Sequence, residues 1–166
     1  TASVQVGEVE VSKKLINNTP AEPGETFNFK ITLDLSTADV WEDEIPWMNN
    51  DYLMGFIESS EELTWTVEEG KYVAEFTVDV DETVTISGIA QGTTYTVEEI
   101  QTGEDRAWFT VTTQIGEEEA VEGNTATGTV AEKNTLSFTN TVVTADVELG
   151  KLSISKKVVN AAPARE

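Results

Sequence analysis

Gly7-Glu8-Val9-Glu10-Val11-Ser12-Lys13-Lys14-Leu15 alternates apolar and polar residues at the period of a β-strand. Val9, Val11, Lys13 and Leu15 fall on one face, and Glu8, Glu10, Ser12 and Lys14 on the other. Lys13 therefore stands in phase with the valines. The ordinary explanation for such a lysine is a frayed strand end, with the amine in water and the stem over apolar surface. A buried amine would instead need polar partners on other strands, because lysine is almost never fully buried alone.

The same stretch recurs. Thr1 to Asn17 reads against Thr144 to Asn160 without a gap, Lys13 corresponds to Lys156, and Pro20-Ala21 corresponds to Pro163-Ala164. This self-similarity predicts one repeat over residues 1–143, then the opening strand of a following repeat over 144–166, within a longer tandem array.

Composition narrows the function. Cysteine and histidine are both absent, which excludes disulfides, thiolate or imidazole zinc sites and histidine-based triads. Thirty-one acidic side chains against ten basic ones give a net charge of -21, which repels nucleic acid and anionic lipid. No apolar run is long enough to span a membrane, so no membrane insertion is expected. No cofactor and no metal are expected either; the Asp79 to Glu82 cluster lacks the spacing and glycine of an EF-hand loop. Abundant Thr, Val and Glu with short apolar runs indicate an all-β chain of the secreted kind. Secreted β-domains usually gain stability from disulfides, so another constraint or a large core must serve here.

Along the chain, Phe27, Phe29, Ile31, Leu33 and Leu35 alternate cleanly with polar residues. Residues 36–50 form a long acidic connection carrying Trp41 and Trp47, readable as a sugar-stacking platform or as a loop pinned by its own aromatics. Strands are expected over 52–57, 63–67 and 72–80 and at Val84 and Ile86, with a turn over 87–92. Further strands are expected from Thr94 to Ile100, over 107–115 and 125–131, and from Thr135 to Val142. In the first of these Tyr95, Val97 and Glu99 share a face; in the last Leu136, Phe138, Asn140 and Val142 do.

An amine, a carboxyl and a carboxamide thus each keep the core phase of a separate strand. Burying Lys13, Glu99 and Asn140 unpaired would cost several kcal/mol apiece, so mutual satisfaction is the economical arrangement. An apolar site favours the neutral amine and the protonated carboxyl. Glu99 can then hydrogen-bond the Asn140 carbonyl oxygen, activate the carbon for attack by Lys13, and pass a proton to departing ammonia.

These residues resemble the isopeptide-forming domains of Gram-positive pilins and surface adhesins, which have an inverse immunoglobulin (CnaB-like, prealbumin-like) β-sandwich. The resemblance rests on Val9-Glu-Val-Ser-Lys13-Lys, on Gly88-Ile-Ala-Gln-Gly-Thr-Thr-Tyr-Thr-Val-Glu-Glu99 and on Leu136-Ser-Phe-Thr-Asn140-Thr. It implies a crosslink between Lys13 and Asn140 with Glu99 as catalyst. Glu98 and Lys14 are neighbouring alternatives, and the period of two turns Glu99 and Lys13 inward.

The resulting expectation is a structural stalk or shaft module of a bacterial cell-surface protein or pilus, in the cell wall or pilus, with adjacent repeats as partners. The alternative is an adhesin module that recognises a host glycan or protein through the 36–50 loop. An enzyme acting on outside substrates is disfavoured, since no glycosidase-like carboxylate pair stands out and reaction of Lys13 would be a single turnover.

Overall fold

A computed structural model describes residues 4–40 and 49–143 of the chain. Trp41, Trp47 and the 144–166 segment with Lys156 lie outside the described residues.

The strands expected from the alternation form two sheets packed as the β-sandwich that the resemblance implied. One sheet contains β1 (Val6–Ile16), β3 (Glu58–Ser59), β6 (Thr83–Ala90), β8 (Phe109–Ile115), β9 (Val121–Glu122) and β11 (Lys133–Val142), in the order β3-β6-β1-β11-β8-β9. The other contains β2 (Thr26–Asp34), β4 (Thr66–Glu68), β5 (Lys71–Asp79), β7 (Thr94–Glu99) and β10 (Thr125–Thr129), in the order β10-β7-β2-β5-β4. The first and last long strands, β1 and β11, lie side by side and parallel, from Glu8↔Lys133 to Ile16↔Thr141. Every other pairing among the described residues is antiparallel.

Period-two residues from both sheets make one core. Val9, Val11, Ile86, Leu136 and Phe138 come from one side; Phe29, Ile31, Leu33, Tyr95 and Val97 meet them from the other. Phe29 stacks on Phe76 with ring centroids 5.7 Å apart and meets Phe138 edge-on at 5.0 Å, so aromatics tie the sheets together next to the buried polar groups.

Some expectations fail locally, and the strand expected over 63–67 is met only from Thr66, in β4. Residues 50–54 form a short helix, α1 (Asn50–Met54), where a strand was expected. The Asn49 side chain caps it by accepting the Tyr52 N–H at 2.9 Å, and Gly55 closes it, so cap chemistry outweighs an apolar run too short to fix its period. The strand expected from Ala107 starts at Phe109, because Thr102 and Asp105 form a capping box that makes Gly103–Trp108 a second helix, α2. The turn expected over 87–92 is largely strand: β6 runs to Ala90, and Gly88 at φ 73° is an interior irregularity.

Gly88 is required twice over. Its φ lies in the left-handed region, and a Cβ there would overlap the Phe56 carbonyl, which is backbone and cannot swing aside. Gly88→Ala should therefore lower stability by more than about 1 kcal/mol. A leftward shift of the denaturant midpoint is the expected result; an unchanged midpoint would contradict the close approach.

Candidate functional site

Lys13 lies on β1, and its neighbour across the parallel ladder is Phe138 on β11. Asn140, two residues further along β11, faces the same way, so amine and carboxamide project into the sandwich from adjacent strands. Glu99 ends β7 in the opposite sheet, paired with Phe29 of β2. All three side chains are buried: Lys13 and Asn140 are 0% exposed and Glu99 is 1% exposed. Lys14 is exposed and Glu98 only half-buried, so neither alternative enters the site.

The three groups form a closed triangle. Lys13 Nζ donates to Glu99 Oε2 at 2.5 Å and to Asn140 Oδ1. Asn140 Nδ2 donates to Glu99 Oε1 at 2.7 Å. One carboxyl oxygen therefore faces the amine and the other faces the carboxamide nitrogen. This differs from the expected contact between Glu99 and the Asn140 carbonyl oxygen. Asn140 presents its oxygen to Lys13 on the adjacent strand and its nitrogen to Glu99 in the opposite sheet.

The walls are aromatic and apolar. Lys13 Nζ lies 4.3 Å from the Phe27 ring centroid and 6.0 Å from that of Phe29. Burial pushes the Lys13 amine below its ordinary value of 10.5, against the opposing pull of the Glu99 carboxyl and its hydrogen bond. The arrangement holds an amine whose ammonium form is disfavoured by burial beside a carboxamide, with a carboxyl touching both nitrogens. No group of His, Cys, Asp and Glu able to hold a metal occurs among the described residues.

Sequence reasoning missed part of the surroundings. Phe27 and Phe29 were legible as strand residues but not as the wall over the amine. Asn124 lies just before the strand expected over 125–131 and carried no signal of its own, yet its side chain donates to the Glu99 backbone carbonyl at 2.9 Å.

Residues 7–142 match the family described as Domain of unknown function (DUF7601). The chain belongs to that family. No curated protein matches it. Among solved structures, this DUF7601 domain is similar to the pilus-presented adhesin Spy0125 (Cpa), with 18% identity and a TM-score of 0.53, covering 82% of this chain and 27% of the adhesin. It is also similar to the major pilin from Streptococcus pyogenes, with 18% identity and a TM-score of 0.51, covering 81% of this chain and 47% of the pilin. At these identities the likeness is one of fold. The DUF7601 chain spans about a quarter of the adhesin's length and about half of the pilin's.

The lowered Lys13 value has a consequence for pH. In an Asn140→Ala chain, where Lys13 has no carboxamide to react with, the unfolded amine keeps its proton up to about 10.5 while the folded amine has released it earlier. The unfolded state then binds more protons, so stability rises with pH across that window. Melting temperatures of Asn140→Ala should gain on those of Lys13→Met/Asn140→Ala as pH climbs from 7 toward 10. A flat or falling difference would show that the Glu99 carboxyl outweighs desolvation.

Proposed function

We propose that this domain is a pilin-type structural module of a Gram-positive cell-surface protein or pilus, with a CnaB-like fold, locked by an amide that it forms itself between Lys13 and Asn140. The observation that carries this reading is the buried triangle of Lys13, Asn140 and Glu99. Neutral Lys13 Nζ attacks Asn140 Cγ. The new Nζ–Cγ bond replaces the Cγ–Nδ2 bond, and the departing nitrogen leaves as ammonia. Glu99 Oε2 takes the proton that Nζ loses, and the carboxyl returns a proton to Nδ2 from Oε1, so Glu99 is unchanged at the end. The reaction turns over once per chain, which makes the domain a self-modifying structural protein and not an enzyme.

The strand order supports a mechanical role. Because β1 and β11 are parallel neighbours, a pull entering before β1 and leaving after β11 loads that pair in shear. The amide would join these two strands and carry the load past the rest of the sandwich. By the loop-entropy argument used for crosslinks, enclosing so long a loop stabilises by about 5 kcal/mol, less any native strain. An amide also survives reducing conditions. Extracellular placement, adjacent repeats or other pilus subunits as partners, and an acidic solvent-exposed surface all accord with this role.

The intact mass of purified protein should fall about 17 Da below the sequence mass, one ammonia lost. Lys13→Ala, Asn140→Ala and Glu99→Ala should each restore it. A folded wild-type chain of full mass would overturn the crosslink. In single-molecule pulling, the wild-type domain should not release the contour length between Lys13 and Asn140, whereas Glu99→Ala should release all of it; equal extensions would remove the mechanical role.

A further inference from the structure

Glu99 is the last residue of β7, where a strand ordinarily frays, yet its carboxyl must reach two nitrogens at once. Its backbone is held from several sides. The Glu99 N–H donates to the Asn124 carbonyl at 2.9 Å, and the Glu99 carbonyl accepts from the Asn124 carboxamide Nδ2 at 2.9 Å. The following N–H, of Ile100, donates to the Asn28 carbonyl at 2.8 Å.

The Asn124 contact replaces part of a regular ladder. The pairing of Glu98 with Thr125 puts Asn124 opposite Glu99, where an ordinary antiparallel pair would exchange two backbone bonds. The Glu99 N–H makes the first of them. The chain turns at Gly123, φ 142°, and the Asn124 side chain supplies the donor for the second. Gly123 is anchored in turn: its N–H donates to the Val111 carbonyl at 2.9 Å, and its carbonyl accepts the Thr113 hydroxyl at 2.7 Å. Thr113 is 2% exposed. The clamp thus runs from β8 in the sheet of Lys13 and Asn140 to Glu99 in the other sheet.

We propose that Asn124 is a positioning residue for amide formation, holding the Glu99 peptide so that the carboxyl bridges Lys13 Nζ and Asn140 Nδ2. The assignment rests on the crosslink reading above. Without the carboxamide, the Glu99 carbonyl loses this bond at a strand end, the backbone rotates more freely, and the carboxyl spends less time across both nitrogens.

The test times the reaction from an unreacted start. Chains made in a short cell-free pulse are chased, quenched in acid and weighed, following the loss of about 17 Da. Asn124→Ala should reach the wild-type final mass about tenfold more slowly. Asn124→Asp, similar in size but without a donor when ionised, should be as slow at neutral pH. Its rate relative to wild type should recover as pH falls toward about 4, where the protonated acid can donate again. Ala126→Gly loosens the same strand opposite Val97 and should react at the wild-type rate despite a lower melting temperature. Asn124→Ala at the wild-type rate, Asn124→Asp at that rate in neutral buffer or without acid recovery, or an equal slowing in Ala126→Gly would each overturn the role of Asn124 while leaving the crosslink standing. A wild-type chain that never loses ammonia would overturn both.

Discussion

The burial of one amine constrains much of this domain. Removing an ammonium from water costs several kcal/mol, and attraction to a single carboxyl repays that only with good geometry and with the remaining donors and acceptors satisfied. Lys13 meets these conditions through partners from both sheets: Asn140 beside it on β11, and Glu99 opposite on β7. Neither sheet alone can satisfy the group. The triangle therefore fixes the relative placement of the two layers more narrowly than the apolar core would, since a core tolerates exchange of one hydrocarbon contact for another.

The surrounding core makes the triangle chemically consequential. Phe27 and Phe29 lie beside the amine, and Phe29 also bridges to Phe76 and Phe138, so the aromatic cluster that joins the sheets is also the wall that excludes water from Lys13. Desolvation then acts against the ammonium form. Outside, the net charge of -21 works against compactness through self-repulsion. Lys133 offsets a little of it at the β1/β11 seam, where it pairs with Glu10 at 3.0 Å and Glu8 at 3.7 Å. Such exposed pairs contribute little. Cohesion comes from the interior.

Much of the fold was legible because alternation reports which face a side chain takes. Val9, Val11, Lys13, Phe29, Ile31, Val97, Glu99, Phe138 and Asn140 all point where the period of two puts them. Alternation was silent where no period was established. The segment 50–54 became a helix because Asn49 offers a cap, and 103–108 became another because Thr102 and Asp105 cap each other. At Gly88 composition misled: a glycine that usually signals a turn here lets one backbone press against another inside a strand.

The sequence by itself determined the all-β class, the inward phase of Lys13, Glu99 and Asn140, and the exclusion of disulfides and of histidine or cysteine chemistry. These follow from residue identity and local periodicity, which need no knowledge of neighbours. Only the tertiary structure decided that β1 and β11 run parallel side by side, that the Asn140 nitrogen and not its oxygen meets Glu99, and that Asn124 closes the end of β7. The physical reason is that a strand's pattern specifies the face it buries but not its neighbours. Those are set by long-range hydrogen bonds whose partners, such as Lys13 and Asn140, lie nearly the whole domain apart in sequence.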